Sequence, residues 1–227
     1  MKHKLLLSII LLCTSLTMSA QLNIHTHYNY GIFMYDETRQ SATITSSIEY
    51  VGFDKWGSTY FIADFNYMCE GISSMYWEIE RQLQFWKGPL SVRVEYCGGS
   101  YPIYHHTFQA GPTYSFTSDD KLRGFSATLM YMYHVKQAQK SSPKFSGAWF
   151  VDMFDSKLTF NGFTDLWEFE GIRFVAEPQL WLNLNSFSCI NKDFNLSIGG
   201  ELRLIYNLTI ADKFCVIPTA ALKWTFR

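Results

Sequence analysis

The feature that most constrains the fold of this chain is a period-two alternation of apolar and polar side chains, which continues from residue 22 to the C-terminus. In residues 22–30, Leu, Ile, Thr and Tyr alternate with Asn and His. Successive side chains of a β-strand point to opposite faces, so this pattern predicts strands with one apolar and one polar face. Twelve segments of the sequence show it. Many of them reach the roughly 9–11 residues that a tilted membrane strand needs.

The composition indicates which way the apolar face points. Aromatic residues make up 18% of the 227 residues and charged residues only 17%, against about 25% charged residues in a usual soluble domain. Aromatic side chains concentrate at the ends of the apolar faces, as in the interfacial girdles of membrane barrels. We therefore predict an all-β fold: a single antiparallel transmembrane β-barrel of about twelve strands, which leaves no unpaired edge in lipid. A soluble secreted β-protein with the apolar face inside is the alternative.

The N-terminus has the pattern of a secretory signal. A basic start is followed by an apolar run over residues 5–16 and by small residues just before position 21. We predict a cleaved signal peptide at residues 1–20 and a barrel at residues 21–227. A short membrane anchor and a lipoprotein signal at Cys13 are the alternatives. Export of this kind indicates the outer membrane of a Gram-negative bacterium.

The C-terminal segment continues the alternation to the end of the chain. Ala220, Leu222, Trp224 and Phe226 lie on one face. This resembles the terminal strand of outer-membrane barrels, which the barrel-assembly machinery recognises, although Arg227 follows the aromatic residue. An ordinary amphipathic last strand is the alternative. With an even number of strands, both termini lie on the periplasmic side.

In a barrel, the polar face of each strand lines the lumen. The candidates for lining the lumen and for contacting a solute are His25, His27, Asp64, Tyr76, Glu78, Glu80, Arg93, Glu95, Phe150, Asp152, Phe163, Asp165, Glu177, Trp181, Glu201 and Arg203. With Glu49 and Lys223 included, the polar face has nine carboxylates and three basic side chains. Such a lumen disfavours anions and suits neutral or cationic solutes.

Inward aromatic residues offer a second property of the lumen. Tyr76, Phe150, Phe163 and Trp181 lie on the polar face, and aromatic side chains stack on flat rings such as nucleic-acid bases. Neighbouring carboxylates accept hydrogen bonds from sugar hydroxyls. Both properties fit a nucleoside. The alternative is that these side chains only pair with one another, as any hydrated lumen requires.

Catalysis and metal binding find little support in the sequence. Ser197 and Asp165 are not part of a nucleophile elbow or of triad spacing with a histidine. His25 and His27 could grip a metal, but no third ligand is assigned. We expect no enzymatic activity, no cofactor and no metal, and keep a lipid-modifying barrel enzyme as an alternative.

Four cysteines remain after the signal peptide: Cys69, Cys97, Cys189 and Cys215. They show no CxxC or Cys/His spacing. Loops are expected at residues 68–72, 97–106 and 135–143, which places Cys69 and Cys97 at the outer ends of the third and fifth strands. A disulfide between these two residues is an open alternative.

Several stretches of the sequence are distinctive. They are residues 54–61 (DKWGSTYF), 76–81 (YWEIER), 85–96 (FWKGPLSVRVEY), 177–184 (EPQLWLNL), 216–219 (VIPT) and 223–226 (KWTF). Together they resemble the Tsx-like group of nucleoside-specific outer-membrane channels, in an uncharacterised branch of that group. The resemblance covers the whole mature chain. It implies a monomeric barrel of twelve strands with a narrow, substrate-selective lumen.

The predicted function is therefore passive diffusion of small neutral or cationic solutes, such as nucleosides, across the outer membrane. The expected partners are these solutes, outer-membrane lipid and the barrel-assembly machinery. Nucleic acid is excluded as a partner because 19 basic and 20 acidic residues form no basic footprint. A structural barrel with a plugged lumen remains an alternative.

Overall fold

The computed structural model of the protein describes residues 19–39, 41–100 and 104–226. Its strands are β1 (Ser19–Asn29), β2 (Ile44–Asp54), β3 (Gly57–Met68), β4 (Gly71–Leu83), β5 (Leu90–Gly99), β6 (Thr107–Thr117), β7 (Arg123–His134), β8 (Ser141–Met153), β9 (Leu158–Glu168), β10 (Ile172–Ala176), β11 (Gln179–Asn183), β12 (Leu196–Tyr206) and β13 (Phe214–Phe226). Short 3-10 turns cover Tyr30–Phe33, Asp36–Thr38 and Leu184–Ser186. No helix in these ranges is long and apolar enough to cross a membrane. Of the predicted signal peptide, residues 1–18 lie outside the described residues, as does Arg227.

The strands close into a single antiparallel barrel. Consecutive strands from β1 to β10 pair with one another, β10 and β11 both pair with β9 and β12, and β13 pairs with both β12 and β1. The closing register runs from Leu22 opposite Phe226 to Asn29 opposite Thr219. Because β10 and β11 together occupy one position between β9 and β12, the barrel has twelve strands. The prediction of a twelve-stranded antiparallel barrel is confirmed.

The tenth strand of the barrel is interrupted between β10 and β11 at Glu177 and Pro178. Pro178 has no backbone N–H, so it cannot donate to a ladder. Its neighbours still hold it: the Glu177 N–H donates to the Phe163 carbonyl at 2.9 Å, and the Pro178 carbonyl accepts from Leu202 at 2.9 Å. The backbone there approaches β9 so closely that a Cβ on Gly162 would lie 2.5 Å from the Glu177 carbonyl oxygen. Glycine is therefore required at this position.

The apolar face of every strand points outward. In β7, Leu129 and Tyr131 are 64% and 62% exposed. Thr128, just before Leu129, is 1% exposed, and Met130, between the two, is 4% exposed. A side chain that is apolar and exposed on a closed barrel is suited to lipid. Arg81 is an exception, a charged residue on the apolar face of β4, and it forms an ion pair with Asp54 at 2.8 Å near the end of that strand.

Two loops are shorter than expected from the sequence. β5 continues through Cys97 to Gly99, and β8 already begins at Ser141. The prediction that residues 97–99 and 141–143 belong to loops is wrong, because the ladder to the neighbouring strand extends that far. Cys97 thus faces the lumen and is buried, while Cys69 is exposed in the β3–β4 turn, and both are free thiols.

The outward orientation can be tested with a charge on the lipid face. Replacing Leu129 with Arg should lower the free energy of unfolding in lipid vesicles by about 2–4 kcal/mol, because the guanidinium would lie in hydrocarbon. Leu122→Arg is the matched control: Leu122 is 43% exposed in a turn, where the cost should be at most about 1 kcal/mol. Urea unfolding followed by tryptophan fluorescence measures both. Equal effects of the two variants would contradict a lipid-facing surface at Leu129.

Candidate functional site

All sixteen candidate residues from the sequence lie on the strand faces opposite the exposed apolar side chains, so they line the lumen. The structure brings many of them together in two charged clusters. We call them the β4–β9 cluster (Glu78, Glu80, Arg93, Glu95, Lys144 and Asp165) and the β10–β1 cluster (Glu177, Glu201, Arg203 and His27).

Arg93 is the centre of the β4–β9 cluster. It lies on β5, and its Nη2 is 2.5 Å from Glu95 Oε2, 2.9 Å from Glu80 Oε2 and 3.6 Å from Glu78 Oε1. Glu95 and Glu80 are opposite each other in the register of β4 and β5. One guanidinium, with its fixed fork of donors, thus gathers three carboxylates from two strands.

Lys144 connects this group to the other side of the lumen. It lies on β8, 5% of its side chain is exposed, and its Nζ is 3.3 Å from Glu95 Oε1 and 2.8 Å from Asp165 Oδ2 on β9. The contact spans three strand positions from β5 to β8 and therefore crosses the lumen. Sequence reasoning missed Lys144 because it began the eighth strand at Phe145, four residues after its observed start at Ser141. The sequence did contain the indication, because Lys144 is two residues from Ser146 and therefore lies on the same, lumen-facing side of the strand.

The β10–β1 cluster surrounds Arg203. The Arg203 Nε donates to Glu177 Oε1 at 2.7 Å, and its Nη2 is 3.5 Å from Glu201 Oε1. His27 Nδ1 is 2.9 Å from the Thr219 hydroxyl and 3.7 Å from Glu201 Oε2. Unlike Arg93, the Arg203 side chain is 37% exposed, so water reaches the lumen beside it.

Trp181 fills the lumen next to this cluster. It is completely buried, and its Nε1 donates to Gln179 at 3.0 Å. The Nζ of Lys223 lies 4.1 Å from the ring centroid, which is a cation–π contact. The rings of His25 and His27 meet the indole edge to face at 6.3 and 5.9 Å. Both faces and edges of the indole are therefore in contact with protein.

A loop also enters the mouth of the barrel between β1 and β2. The side chain of Tyr35 packs against Ile205, Cys215 and Ile217, which point inward from β12 and β13. Its hydroxyl accepts a hydrogen bond from the Val216 N–H at 2.9 Å. This segment narrows the entrance to the lumen.

The opposite side of the mouth is lined by Phe169 from the β9–β10 turn. It is 4% exposed and packs against His134, with the two ring centroids 4.4 Å apart and the rings tilted by 37°. Arg173 lies 4.9 Å from the same ring. The mouth is thus narrowed by aromatic side chains from two loops.

The residues that a barrel enzyme would use do not assemble. Ser197 donates to Asn183 at 2.7 Å, and Asp165 pairs with Lys144. His25 and His27 contact each other at 2.8 Å. His134 Nε2 lies 2.9 Å from the Ser142 hydroxyl, but within the described ranges no carboxylate contacts His134 to complete the relay that nucleophilic catalysis uses.

A closed barrel of twelve antiparallel strands, apolar outside and charged inside, defines an outer-membrane-type β-barrel. Residues 20–226 match the family described as "Domain of unknown function (DUF5020)". The chain belongs to this family, whose description states no activity. No curated protein sequence matches the chain.

Solved structures with a similar fold include porins. The chain is similar to a KdgM porin at 8% identity and a TM-score of 0.54, covering 91% of this chain and 99% of that one. It is similar to the NanC porin at 10% identity and a TM-score of 0.57, with the same coverage. A further KdgM structure holds disordered oligogalacturonate. At these identities the likeness establishes the fold alone, so membership of the Tsx-like group stays a prediction.

The cross-lumen contact makes a prediction for Lys144. Lys144→Gln should lower the free energy of unfolding by about 3–5 kcal/mol, because it leaves Asp165 buried without a counter-charge and leaves Glu95 with Arg93 as its only cationic partner. Lys140→Gln, at an exposed lysine just before β8, should change it by less than about 0.5 kcal/mol. Urea unfolding in lipid vesicles measures the difference. Similar values for the two variants would mean that the cross-lumen pair does not stabilise the barrel.

Proposed function

We propose that this protein is an outer-membrane channel for passive diffusion of small neutral or cationic solutes. The observation that supports it most is a lumen lined mainly by charged and polar side chains inside an apolar wall. A barrel that served only as a lipid-embedded support would be more stable with an apolar core, because buried ion pairs rarely improve on well-packed hydrophobic residues.

The charge of the lumen favours cations over anions. Nine carboxylates point inward, and Lys144 and Arg173 raise the number of inward basic side chains from three to five. In the β4–β9 cluster alone, four carboxylates face two cations. Rings of acidic side chains select cations in channels. An acidic polysaccharide such as the oligogalacturonate held by the KdgM porin would be repelled here.

The lumen is narrow, which favours slow and selective passage. The side chain of Glu95 is fully buried, and those of Glu78, Glu80 and Asp165 are only 14–16% exposed. A structural barrel with a plugged lumen is the second candidate, and the complete burial of Trp181 favours it. The two differ in whether the protein conducts ions at all.

Nucleosides are the first solutes to test. Aromatic residues that face the lumen could stack a base, and the carboxylates beside them could accept hydrogen bonds from a ribose. Of the candidates, Phe150 and Phe163 are half-buried, whereas Trp181 has Lys223 over its ring and could stack a base only if the lysine moved. The resemblance to the Tsx-like group supports the same substrate class.

The cellular setting is also part of the proposal. The outer-membrane fold and the N-terminal signal pattern support export to the outer membrane of a Gram-negative bacterium. The alternating last strand, β13, supports recognition by the barrel-assembly machinery. The barrel closes on itself without a second chain, which supports a monomer embedded in outer-membrane lipid.

Conductance in planar bilayers tests the channel. In a salt gradient, the purified protein should give single-channel currents whose reversal potential indicates several-fold preference for K⁺ over Cl⁻, because carboxylates outnumber basic groups in the lumen. Glu177→Gln should reduce this preference, while Asp120→Asn, in an exposed turn outside the lumen, should not. Absence of currents from correctly folded protein would favour the plugged barrel, and anion selectivity would overturn the charge argument.

Block by nucleosides tests the substrate class. Adenosine should reduce the current in a saturable manner, and Phe150→Ala or Phe163→Ala should weaken the block about 5-fold or more, since stacking contributes about 1–3 kcal/mol per base. Phe116→Ala, at an outward-facing aromatic residue, is the control. Ribose and oligogalacturonate should block less than adenosine. Unchanged block in both lumen variants would reject stacking at these residues.

A further inference from the structure

Two carboxylates of the β4–β9 cluster, Glu78 and Glu95, also lie beside the thiol of Cys97. Glu78 on β4 is the register partner of Cys97 on β5, and Glu95, two residues earlier on β5, is the register partner of Gln109 on β6. These four residues form one contiguous patch on the lumen wall. The ligand atoms of Glu78, Glu95 and Cys97 all lie within 4.8 Å of one another.

We propose that Glu78, Glu95 and Cys97, completed by Gln109, form a lumen site for a zinc-type divalent cation. The site follows from the donor geometry and does not depend on whether the barrel conducts. Zn²⁺ is bound by cysteine sulfur and carboxylate oxygen in a tetrahedron. Hard cations such as Mg²⁺ and Ca²⁺ use oxygen ligands alone, and the thiol therefore selects a softer ion.

The distances between the donors fit this coordination. Cys97 Sγ is 3.1 Å from Glu95 Oε1 and 3.7 Å from Glu78 Oε2. With Zn–S near 2.3 Å and Zn–O near 2.0–2.2 Å, the S···O edge of a tetrahedron is about 3.5 Å. The two observed distances lie on either side of that value, so adjustments of a few tenths of an ångström suffice.

Arg93 holds the two carboxylates in the required orientation. It contacts Glu95 Oε2 and Glu78 Oε1, and the other oxygen of each group, Glu95 Oε1 and Glu78 Oε2, is turned toward the thiol. The Tyr76 hydroxyl also donates to Glu78 Oε2, at 2.9 Å, and a carboxylate oxygen has a second lone pair for a metal. Partners of this kind orient the ligands of most metal sites. Lys144 also contacts Glu95 Oε1, at 3.3 Å, but its closer partner is Asp165 at 2.8 Å, and that contact persists if the metal takes the Glu95 oxygen.

Gln109 provides an independent indication of a ligand. The residue is 3% exposed, and its Nε2 is 3.2 Å from Cys97 Sγ and 3.1 Å from the Thr107 hydroxyl. Within the described part of the chain, its Oε1 has no hydrogen-bond partner. A buried carbonyl oxygen without a partner is costly. Rotation of the amide by half a turn would direct this oxygen at the thiol and supply the fourth ligand.

The charge of the cluster leaves room for a divalent cation. Glu78, Glu80, Glu95 and Asp165 outnumber Arg93 and Lys144 by two charges when all are ionised. Binding breaks the S–H bond of Cys97 and forms a metal–sulfur bond, and the proton leaves to solvent without any redox change. Glu78 keeps 16% of its side chain exposed, which gives an ion access from the lumen.

The test uses a chain in which Cys97 is the only cysteine. Cys69→Ser, Cys189→Ser and Cys215→Ser are combined in the chain without residues 1–20, and Co²⁺ is added to the protein folded in detergent. We expect a thiolate-to-cobalt charge-transfer band in the near ultraviolet, which Zn²⁺ abolishes by displacement. Cys97→Ser in this parent should eliminate the band. No band from parent protein with normal heat-modifiable gel migration would overturn the site.

A second comparison distinguishes a built site from a lone reactive thiol. Glu78→Gln keeps the thiol and the packing volume but removes one charged ligand, and it should weaken Co²⁺ binding by about tenfold or more. Glu70→Gln, at an exposed carboxylate in the β3–β4 turn, should leave binding unchanged. Equal affinities in the two variants would show that Cys97 binds the metal without Glu78 and would refute the proposed coordination.

Discussion

The structure depends on one constraint, which is that every backbone hydrogen bond of a sheet in lipid must be made within the sheet. The pairing of β1 with β13 removes the two edges that the sheet of described strands would otherwise have. Once the sheet is closed, each strand has one face toward lipid and one toward the lumen. The apolar exposed surface of β7 and the buried charge of β5 are therefore two results of the same closure.

The interior differs from the packed core of a soluble protein, because ion pairs occupy the place of hydrophobic contacts. Burial of Glu95 removes it from water at a considerable cost in free energy, which the contacts from Arg93 and Lys144 offset. The contacts of Lys144 link β8 to Asp165 on the neighbouring β9 and to Glu95 on β5, which is not a neighbour of β8 in the sheet. They brace the wall across the lumen and also reduce the space through which a solute can move.

The sequence predicted the faces of the strands well because parity depends only on local alternation. It predicted the strand ends less well: Cys97 was assigned to a loop and Lys144 was overlooked. A strand can extend as far as its neighbour provides partners for its backbone hydrogen bonds, and the local sequence does not show how far that is. The contact of Lys144 with Glu95 was out of reach, because it depends on the circumference and register of the closed barrel. The interruption at Pro178 was visible in the sequence as a proline, yet its tolerance depends on Gly162 in the adjacent strand.

The hydrogen bond between Tyr35 and Val216 has a consequence for how the protein matures. The two residues are 181 positions apart in the chain, and Val216 belongs to β13, the strand that closes the sheet on β1. The segment that narrows the mouth can reach its final place only after β13 has joined the sheet. The entrance is therefore completed last, and a barrel that is still being assembled has a wider opening than the finished one.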